Sequence, residues 1–305
     1  MPGLLDVVRP TTFIESQKLC DHLGLDITIA TETFQHTGSF KFRAAYNLAL
    51  NVPNEEILTA SSGNFGQALA YACKLLGKKC TVIMPETSAQ VKIDAVRSYG
   101  AIVDLVDVRK TGRTERVAQL SAEMPEAYYA SPYDDAFVIE GNATLGDEIC
   151  EKDYDVVLAP IGGGGLISGM VTARRRSNSQ AEIVGAEPLV ANDAARSLRA
   201  AKIVHNESEP MTIADGARTI SLGNLNWPLI KENVARIVEV SEENICTAVR
   251  LYFGLVNLKC EPTGALSLGA LLEGTDDFAG KKICLIVSGG NVDPEVYKSI
   301  LSKTS

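Results

Sequence analysis

Histidine is scarce. Only His22, His36 and His205 occur in 305 residues, too few to furnish a multi-histidine metal centre and a poor basis for a Ser-His-Asp triad. The chemistry of this chain must rest on something other than imidazole. No run of about 18 apolar residues occurs, so no membrane span is expected. The start, Met1-Pro2-Gly3-Leu4-Leu5-Asp6, lacks the basic residues and long apolar core of a secretory signal. Concentrated positive charge is missing too. The formal net charge is -9 and the densest basic run is Arg174-Arg175-Arg176, read as a solvated helix face, which argues against a nucleic-acid partner. The seven cysteines are odd in number, scattered and without CxxC spacing. They read as buried small apolar residues in a reducing cytoplasm rather than as a disulfide framework or zinc site. Internal repeats and low-complexity tracts are also absent.

What is present is alternation. Residues 57–60, 80–84 and 102–108 read as strands, with helices over 67–76, stopped by Gly77, and 91–99, closed by Gly100. This βαβαβ order predicts a parallel sheet. The pattern restarts with strands at 156–159, 183–186, 237–240 and 283–287. Asp293-Pro294 reads as an N-cap followed by proline at the first position of a last helix. Two open α/β domains are therefore expected. Ser131-Pro132-Tyr133-Asp134-Asp135 interrupts the alternation and marks a boundary near Pro132, giving a small domain of 53–132 and a large one of 1–52 with 133–305.

Five segments have residue types suited to chemistry. In Thr37-Gly38-Ser39-Phe40-Lys41, a glycine and a small hydroxyl let the chain pass closely by a carbonyl cofactor that the lysine amine could hold. A lysine taken alone is more often a solvated surface residue. Ser61-Ser62-Gly63-Asn64-Phe65-Gly66-Gln67 lies between a strand and a helix, where backbone N–H groups bind anions such as a carboxylate; otherwise it is an ordinary capped turn. Gly162-Gly163-Gly164-Gly165 follows a strand directly. Four glycines carry a large entropy penalty that a phosphate cradled by N–H groups would explain. Ser288-Gly289-Gly290-Asn291 also follows a strand, where ligands of open α/β sheets sit. In Glu187-Pro188-Leu189-Val190-Ala191-Asn192-Asp193, two carboxylates and a carbonyl suit an oxygen-preferring cation, or else an acidic helix start.

In this order and at these distances, the lysine motif, the Ser-Ser-Gly-Asn loop, the tetraglycine and the Ser-Gly-Gly-Asn turn resemble the fold-type-II pyridoxal-phosphate (PLP) enzymes, specifically the serine racemase and serine/threonine dehydratase group. Ile213-Ala214-Asp215-Gly216 and Glu261-Pro262-Thr263-Gly264-Ala265 are similar to that group as well, and the resemblance runs from about Phe34 to about Asp293. It implies a tryptophan synthase β-like fold of two open α/β domains with mostly parallel sheets. By the same resemblance, Lys41 holds pyridoxal 5'-phosphate as a Schiff base and moves the Cα proton, and Phe40 packs beside the ring. Asn64 bonds the ring 3′-oxygen, Gly162, Gly163, Gly164 and Gly165 hold the phosphate, and Ser288 faces the pyridine nitrogen. Ser61, Ser62, Gly63, Asn64 and Phe65 receive the substrate, with Ser62 as a second acid/base opposite Lys41. Glu187, Ala191 (through its carbonyl) and Asp193 match a divalent-cation site for Mg²⁺, Mn²⁺ or Ca²⁺, and a homodimer is expected.

The implied reaction is β-elimination of a small β-hydroxy-amino acid, such as L-serine or L-threonine, to a 2-oxo acid and ammonia. Amino-acid racemisation and then β-replacement synthesis are the alternatives on this fold. Phe65 stands where many relatives have histidine, and Glu140-Gly141-Asn142-Ala143-Thr144 replaces a more usual Gly-Gln-Gly-Thr. Both departures are expected at substrate contacts. The sequence ends soon after the last motif, without room for the C-terminal regulatory domain of biosynthetic threonine dehydratases. A Rossmann dinucleotide site at 156–170, with Glu187 further on, is a competing reading of the glycines, but it leaves Lys41 and Ser61 without a role. A non-catalytic binding protein on the same fold is another. Bound PLP would colour the purified protein yellow, and NAD would not.

Overall fold

A computed structural model describes residues 2–302, without the side chain of Arg113. Met1 and residues 303–305, the outer ends of the large domain expected from sequence, lie outside the described residues. The strands are β1 (Thr12–Glu15), β2 (Asp26–Thr31), β3 (Glu56–Ala60), β4 (Lys79–Pro85), β5 (Ile102–Val106), β6 (Tyr128–Tyr129), β7 (Val156–Pro160), β8 (Glu182–Pro188), β9 (Val234–Val240) and β10 (Lys282–Val287). They form two sheets, β1-β2-β10-β7-β8-β9 and β5-β4-β3-β6. Every pairing is parallel except that of β1 with β2.

Parallel sheets are covered on both faces, so their central strands are continuously apolar. In β10, Ile283, Leu285 and Val287 face one core with Ile29, Leu158, Val184 and Leu266. Cys284 and Ile286 face the other with Val157, Ile183, Ile167 and Met170. Helix Pro262–Glu273 covers the first face, where Ser267 Oγ donates into the sheet, 3.0 Å from the Leu158 carbonyl and 3.1 Å from that of Ile286. Helix Gly165–Ser177 covers the second. The four-stranded sheet packs Ile57, Val82 and Met84 against Phe65 and Leu69, and helix Lys41–Asn51 adds Phe42, Ala45 and Leu48 to the same core.

The expected strands are all present, with shifted ends. The helix expected from 67 begins at Asn64, and β5 stops at Val106 rather than 108. Asp293 caps the last helix, its Oδ1 accepting from Glu295 N–H at 2.8 Å. Arg175 and Arg176 are exposed, as expected, and paired with Glu232, Glu140 and Asp147.

Candidate active site

Parallel strands end on one side, and the loops beyond those ends hold nearly every residue singled out from sequence. The loop after β2 is zipped to the end of β10. Phe40 N–H donates to the Ser288 carbonyl at 2.9 Å and Gly290 N–H to the Gly38 carbonyl at 3.0 Å. The lysine motif and the Ser-Gly-Gly-Asn turn, about 250 residues apart in the chain, are thereby one structural unit. Gly38 has φ +73°, and a Cβ there would come within 2.5 Å of Asn291 Oδ1, so glycine is required on both counts.

Lys41 opens helix Lys41–Asn51. Its Nζ donates to the Pro132 carbonyl at 2.7 Å and lies 5.0 Å from the Phe40 ring centroid and 5.6 Å from that of Phe65. Burial lowers this ammonium to about 8, while the Glu261 charge pulls the other way. A free amine is therefore present near neutrality, as a carbonyl-capturing lysine requires. Labelling of the apoprotein by an amine-directed reagent, followed by peptide mapping, should give Lys41 a reactivity midpoint near pH 8. An ordinary lysine midpoint near 10.5 would remove the burial argument.

Two residues on, Arg43 is fully buried. It pairs with Glu32 at 2.8 Å and Glu148 at 2.7 Å, and it donates to Thr11 Oγ1 and the Arg9 carbonyl at 3.0 Å each. This network fixes the helix that carries Lys41 to the end of β2 and to helix Ala136–Cys150.

The loop after β3 carries Ser61, Ser62 and Gly63. Ser61 Oγ accepts from Gly66 N–H at 3.1 Å and turns the chain into helix Asn64–Leu76. The N–H groups of Ser62, Asn64 and Phe65 have no acceptor among the described residues, a ready site for a carboxylate at a helix start. Asn64 is held on both sides. Its Nδ2 donates to Glu261 Oε1 at 2.8 Å, and its Oδ1 accepts from Asn291 Nδ2 at 2.9 Å.

After β7, the N–H groups of Gly162, Gly163, Gly164 and Gly165 likewise meet no acceptor among the described residues. Gly164 has φ +94°, and a Cβ at Gly163 would come within 2.2 Å of the Tyr133 ring. Only glycines allow this turn. Ser288 Oγ is buried and unpartnered. A cradle of free N–H groups, a depressed lysine, an orphaned hydroxyl and a fixed amide fit the phosphate, carbonyl, nitrogen and ring oxygen of PLP.

Glu187 and Asp193 are both buried, beyond β8. Glu187 accepts from Ala195 N–H at 2.6 Å and Ala194 N–H at 3.2 Å, as an acidic helix start would. Asp193 Oδ1 accepts from Asn206 at 2.9 Å, whereas Oδ2 is buried without a partner. Burial, with Asp193 nearby, pushes the Glu187 carboxyl up to about 8, and the Ala195 N–H opposes this. Among the described residues no group of three or more His, Cys, Asp or Glu side chains is arranged for a metal. A cation here would take two carboxylates and the Ala191 carbonyl. Asn206 Nδ2 also reaches the Thr219 carbonyl at 3.1 Å, and Leu222 from the same segment packs beside Gly164.

One expectation needs correction. Glu140 does not reach the crevice. It is exposed on helix Ala136–Cys150, where it pairs with Arg176, because the helix turns that face toward its neighbour. Asn142 instead donates to the Gly165 carbonyl at 3.0 Å. The Phe65 ring, at the other departure, is turned inward. It is 1 % exposed and packs in the core of the four-stranded sheet, one edge of that core being the wall beside Lys41. Sequence reasoning missed the Pro132 carbonyl, Tyr133 and the Glu261 side chain as parts of the site. The Glu-Pro pair at 261–262 looks like a plain helix start, and nothing local shows its carboxylate turning to Asn64.

Comparison with known proteins agrees with this geometry. The family described as "Pyridoxal-phosphate dependent enzyme" matches residues 4–289. The L-threo-3-hydroxyaspartate ammonia-lyase of Saccharomyces cerevisiae is 36% identical over 303 residues, covering 97% of this chain and 92% of the relative. The serine racemase of Schizosaccharomyces pombe is 38% identical over 300 residues, covering 96% and 92%. The crystal structure of a T.th. threonine deaminase superposes with a TM-score of 0.90 at 39% identity, covering 95% of each chain. Fold, crevice and relatives agree, and the chain belongs to the pyridoxal-phosphate-dependent enzymes of fold type II.

Proposed function

We propose that the chain catalyses the dehydration and deamination of a small β-hydroxy-amino acid, such as L-serine or L-threonine, to a 2-oxo acid and ammonia. The observation that carries this reading is the buried, unpartnered Ser288 hydroxyl beside the lysine loop. A neutral hydroxyl facing the pyridine nitrogen does not hold it protonated as an aspartate would, which favours prompt loss of a β-substituent over transamination.

Bound PLP supplies the electron sink that makes the Cα–H of an amino acid acidic. Residues 162–165 would hold its phosphate through their free N–H groups, with Phe40, Asn64 and Ser288 as the residues that would contact its ring, ring oxygen and nitrogen. Lys41 holds the cofactor and, as the amine, takes the Cα proton. The N–H groups of Ser62, Asn64 and Phe65, with Ser61 and Gly63 shaping the turn, receive the substrate carboxylate. The departing hydroxyl takes up a proton and leaves as water, and the released enamine, as its imine tautomer, is hydrolysed by water to the 2-oxo acid and ammonia. A serine-type racemase is the second reading, favoured by the Ser62 hydroxyl, which has no partner among the described residues. Incubation with L-serine, L-threonine and 3-hydroxyaspartate, with 2-oxo acid assay and chiral chromatography in parallel, decides between them. The 2-oxo acid should accumulate faster than the opposite enantiomer, and the reverse order replaces the lyase with the racemase.

The same reading includes a divalent cation, Mg²⁺, Mn²⁺ or Ca²⁺, at Glu187, Asp193 and the Ala191 carbonyl, supported by the orphaned Asp193 Oδ2. Its role is structural, bracing the Thr219–Leu222 segment behind the glycine loop. A chelator should lower the melting temperature by several degrees and Mg²⁺ should restore it, since ligand at about 100 times its Kd adds about 2.7 kcal/mol. Asp193→Asn should abolish the response. Indifference of the wild-type protein to both reagents leaves the acidic helix start as the whole account. A cytoplasmic homodimer is part of the proposal, as is a small domain of 53–132 set against 1–52 with 133–305. The containment of β3 to β6 within residues 56–129 supports that division.

A further inference from the structure

Four groups from four separate segments line up across the crevice. The Thr37 carbonyl accepts from Asn291 Nδ2 at 2.7 Å, and the same Nδ2 donates to Asn64 Oδ1 at 2.9 Å. Asn64 Nδ2 then donates to both oxygens of Glu261, at 2.8 and 3.1 Å. A backbone carbonyl can only accept a hydrogen bond, and so can a carboxylate. The Thr37 end therefore dictates how both amides are turned: Asn291 Nδ2 must face that carbonyl, its second N–H meets Asn64 Oδ1, and Asn64 Nδ2 is left facing Glu261. Nδ2 of Asn64 has two hydrogens, and one of them, shared between the two oxygens of a single carboxyl group, suffices for both Glu261 contacts.

We infer that Glu261 and Asn291 are positioning residues that clamp the Asn64 amide from its two ends, so that its second N–H is presented to the cofactor's ring oxygen. The inference rests on the reading of Asn64 as that oxygen's partner. Two glycines make room for the clamp. A Cβ at Gly289 would come within 2.7 Å of Glu261 Oε1, and one at Gly38 within 2.5 Å of Asn291 Oδ1. The Gly-Gly of the Ser288 turn and the glycine before Lys41 thus serve Asn64 as well as the backbone path. Glu261 is buried at the start of helix Pro262–Glu273. Burial and the nearby Asp215 push its carboxyl up to about 8, while Asn64, Lys92 and Lys41 draw it down. The Asn64 amide opposes that rise, because its N–H donates to the charged form. An amide held rigidly reaches its target at less entropic cost than one free to rotate.

The test uses Asn64→Ala, Glu261→Leu, Glu261→Gln and Asn291→Ala. The readouts are the dissociation constant of PLP from the full chain and the pH midpoint of the holoenzyme's visible band, which an N–H on the ring oxygen displaces. Asn64→Ala should weaken retention about tenfold and move the midpoint. Glu261→Leu and Asn291→Ala should each reproduce most of that effect, and Glu261→Gln, which keeps an acceptor of the same shape, should restore it. In the Asn64→Ala background the other substitutions should change retention less than about twofold, because their target is gone. Should Glu261→Leu not fold, Asn291→Ala on its half-buried turn makes the same comparison. If Asn64→Ala moves both readouts and the clamp variants move neither, the clamp is wrong while Asn64 keeps its role. Equal effects with and without Asn64 also overturn it. If Asn64→Ala itself changes nothing, the assignment of Asn64 fails and the clamp fails with it.

Discussion

Lys41→Ala is expected to remove the visible cofactor band of the holoenzyme and to lower turnover by at least about a thousandfold, within the range attributed to a positioned acid or base and compounded by loss of the covalent hold. Among the described residues no other lysine combines its features. Lys41 is brought down to about 8 by burial, is fixed by the Pro132 carbonyl, and lies in a loop hydrogen-bonded to Ser288. Lys92, whose charge Glu261 also feels, is spoken for by a 2.8 Å pair with the part-exposed Asp215. Borohydride reduction of the holoenzyme and peptide mapping should label Lys41 alone. A label on a different lysine, or a surviving yellow colour in Lys41→Ala, sinks the assignment. Lys41→Arg should behave as Lys41→Ala does, since a guanidinium does not deprotonate in this pH range.

Ser62→Ala should separate two activities that share one crevice. Inverting the Cα configuration needs a proton donor on the face opposite Lys41, and the reading of Ser62 as that donor predicts loss of racemisation and of any action on D-substrates by about 10²- to 10⁴-fold. Elimination from an L-substrate needs only Lys41 for the Cα proton and should fall much less. The Ser62 hydroxyl has no partner among the described residues, so its removal leaves nothing unsatisfied. Phe65, next but two, offers no proton relay to this loop, so elimination is expected to outpace racemisation in the wild-type enzyme. Chiral chromatography of the serine and threonine enantiomers with parallel 2-oxo acid assay reads both activities. An equal loss of the two in Ser62→Ala would make Ser62 a binding residue and end its assignment as the second acid/base.

Local features foretold local structure well. Gly77 stops the helix Asn64–Leu76 in the left-handed conformation, at φ +69°, and Asp293-Pro294 opens the last helix. β7, β8 and β10 read as apolar runs because both their faces are buried. The N-terminal strands were not legible. β2 is an interior strand next to the edge of its sheet, yet its partner β10 is about 255 residues away, and β1 is a partly exposed antiparallel edge with little apolar content. β9 begins at Val234, three residues before the expected start, where a register shift opposite Ile183 and Val184 breaks the periodicity. The same limit applied at the site. The loops could be read one at a time because each follows a strand with small residues. The contacts that tie Asn64 to Glu261 and Asn291 join residues 197 and 227 positions apart and leave no local pattern. Phe65 illustrates the converse. Its place in the loop is legible, but whether the ring faces substrate or core depends on helix Lys41–Asn51 packing against it.

The buried Arg43 has a bearing on how the chain folds. Its charge is satisfied when Glu32, Thr11 and Glu148 are all in place, and these come from segments 11, 32 and 105 residues away. A partly assembled state that buries helix Lys41–Asn51 without them would strand a guanidinium away from water, at a penalty of several kcal/mol. Such states are expected to be thinly populated, so the helix should order together with the N-terminal strands and helix Ala136–Cys150. Amide hydrogens of residues 41–51 should then exchange with solvent in the same opening event as those of β2, so that the lysine loop and the sheet behind it gain and lose structure as a single cooperative unit.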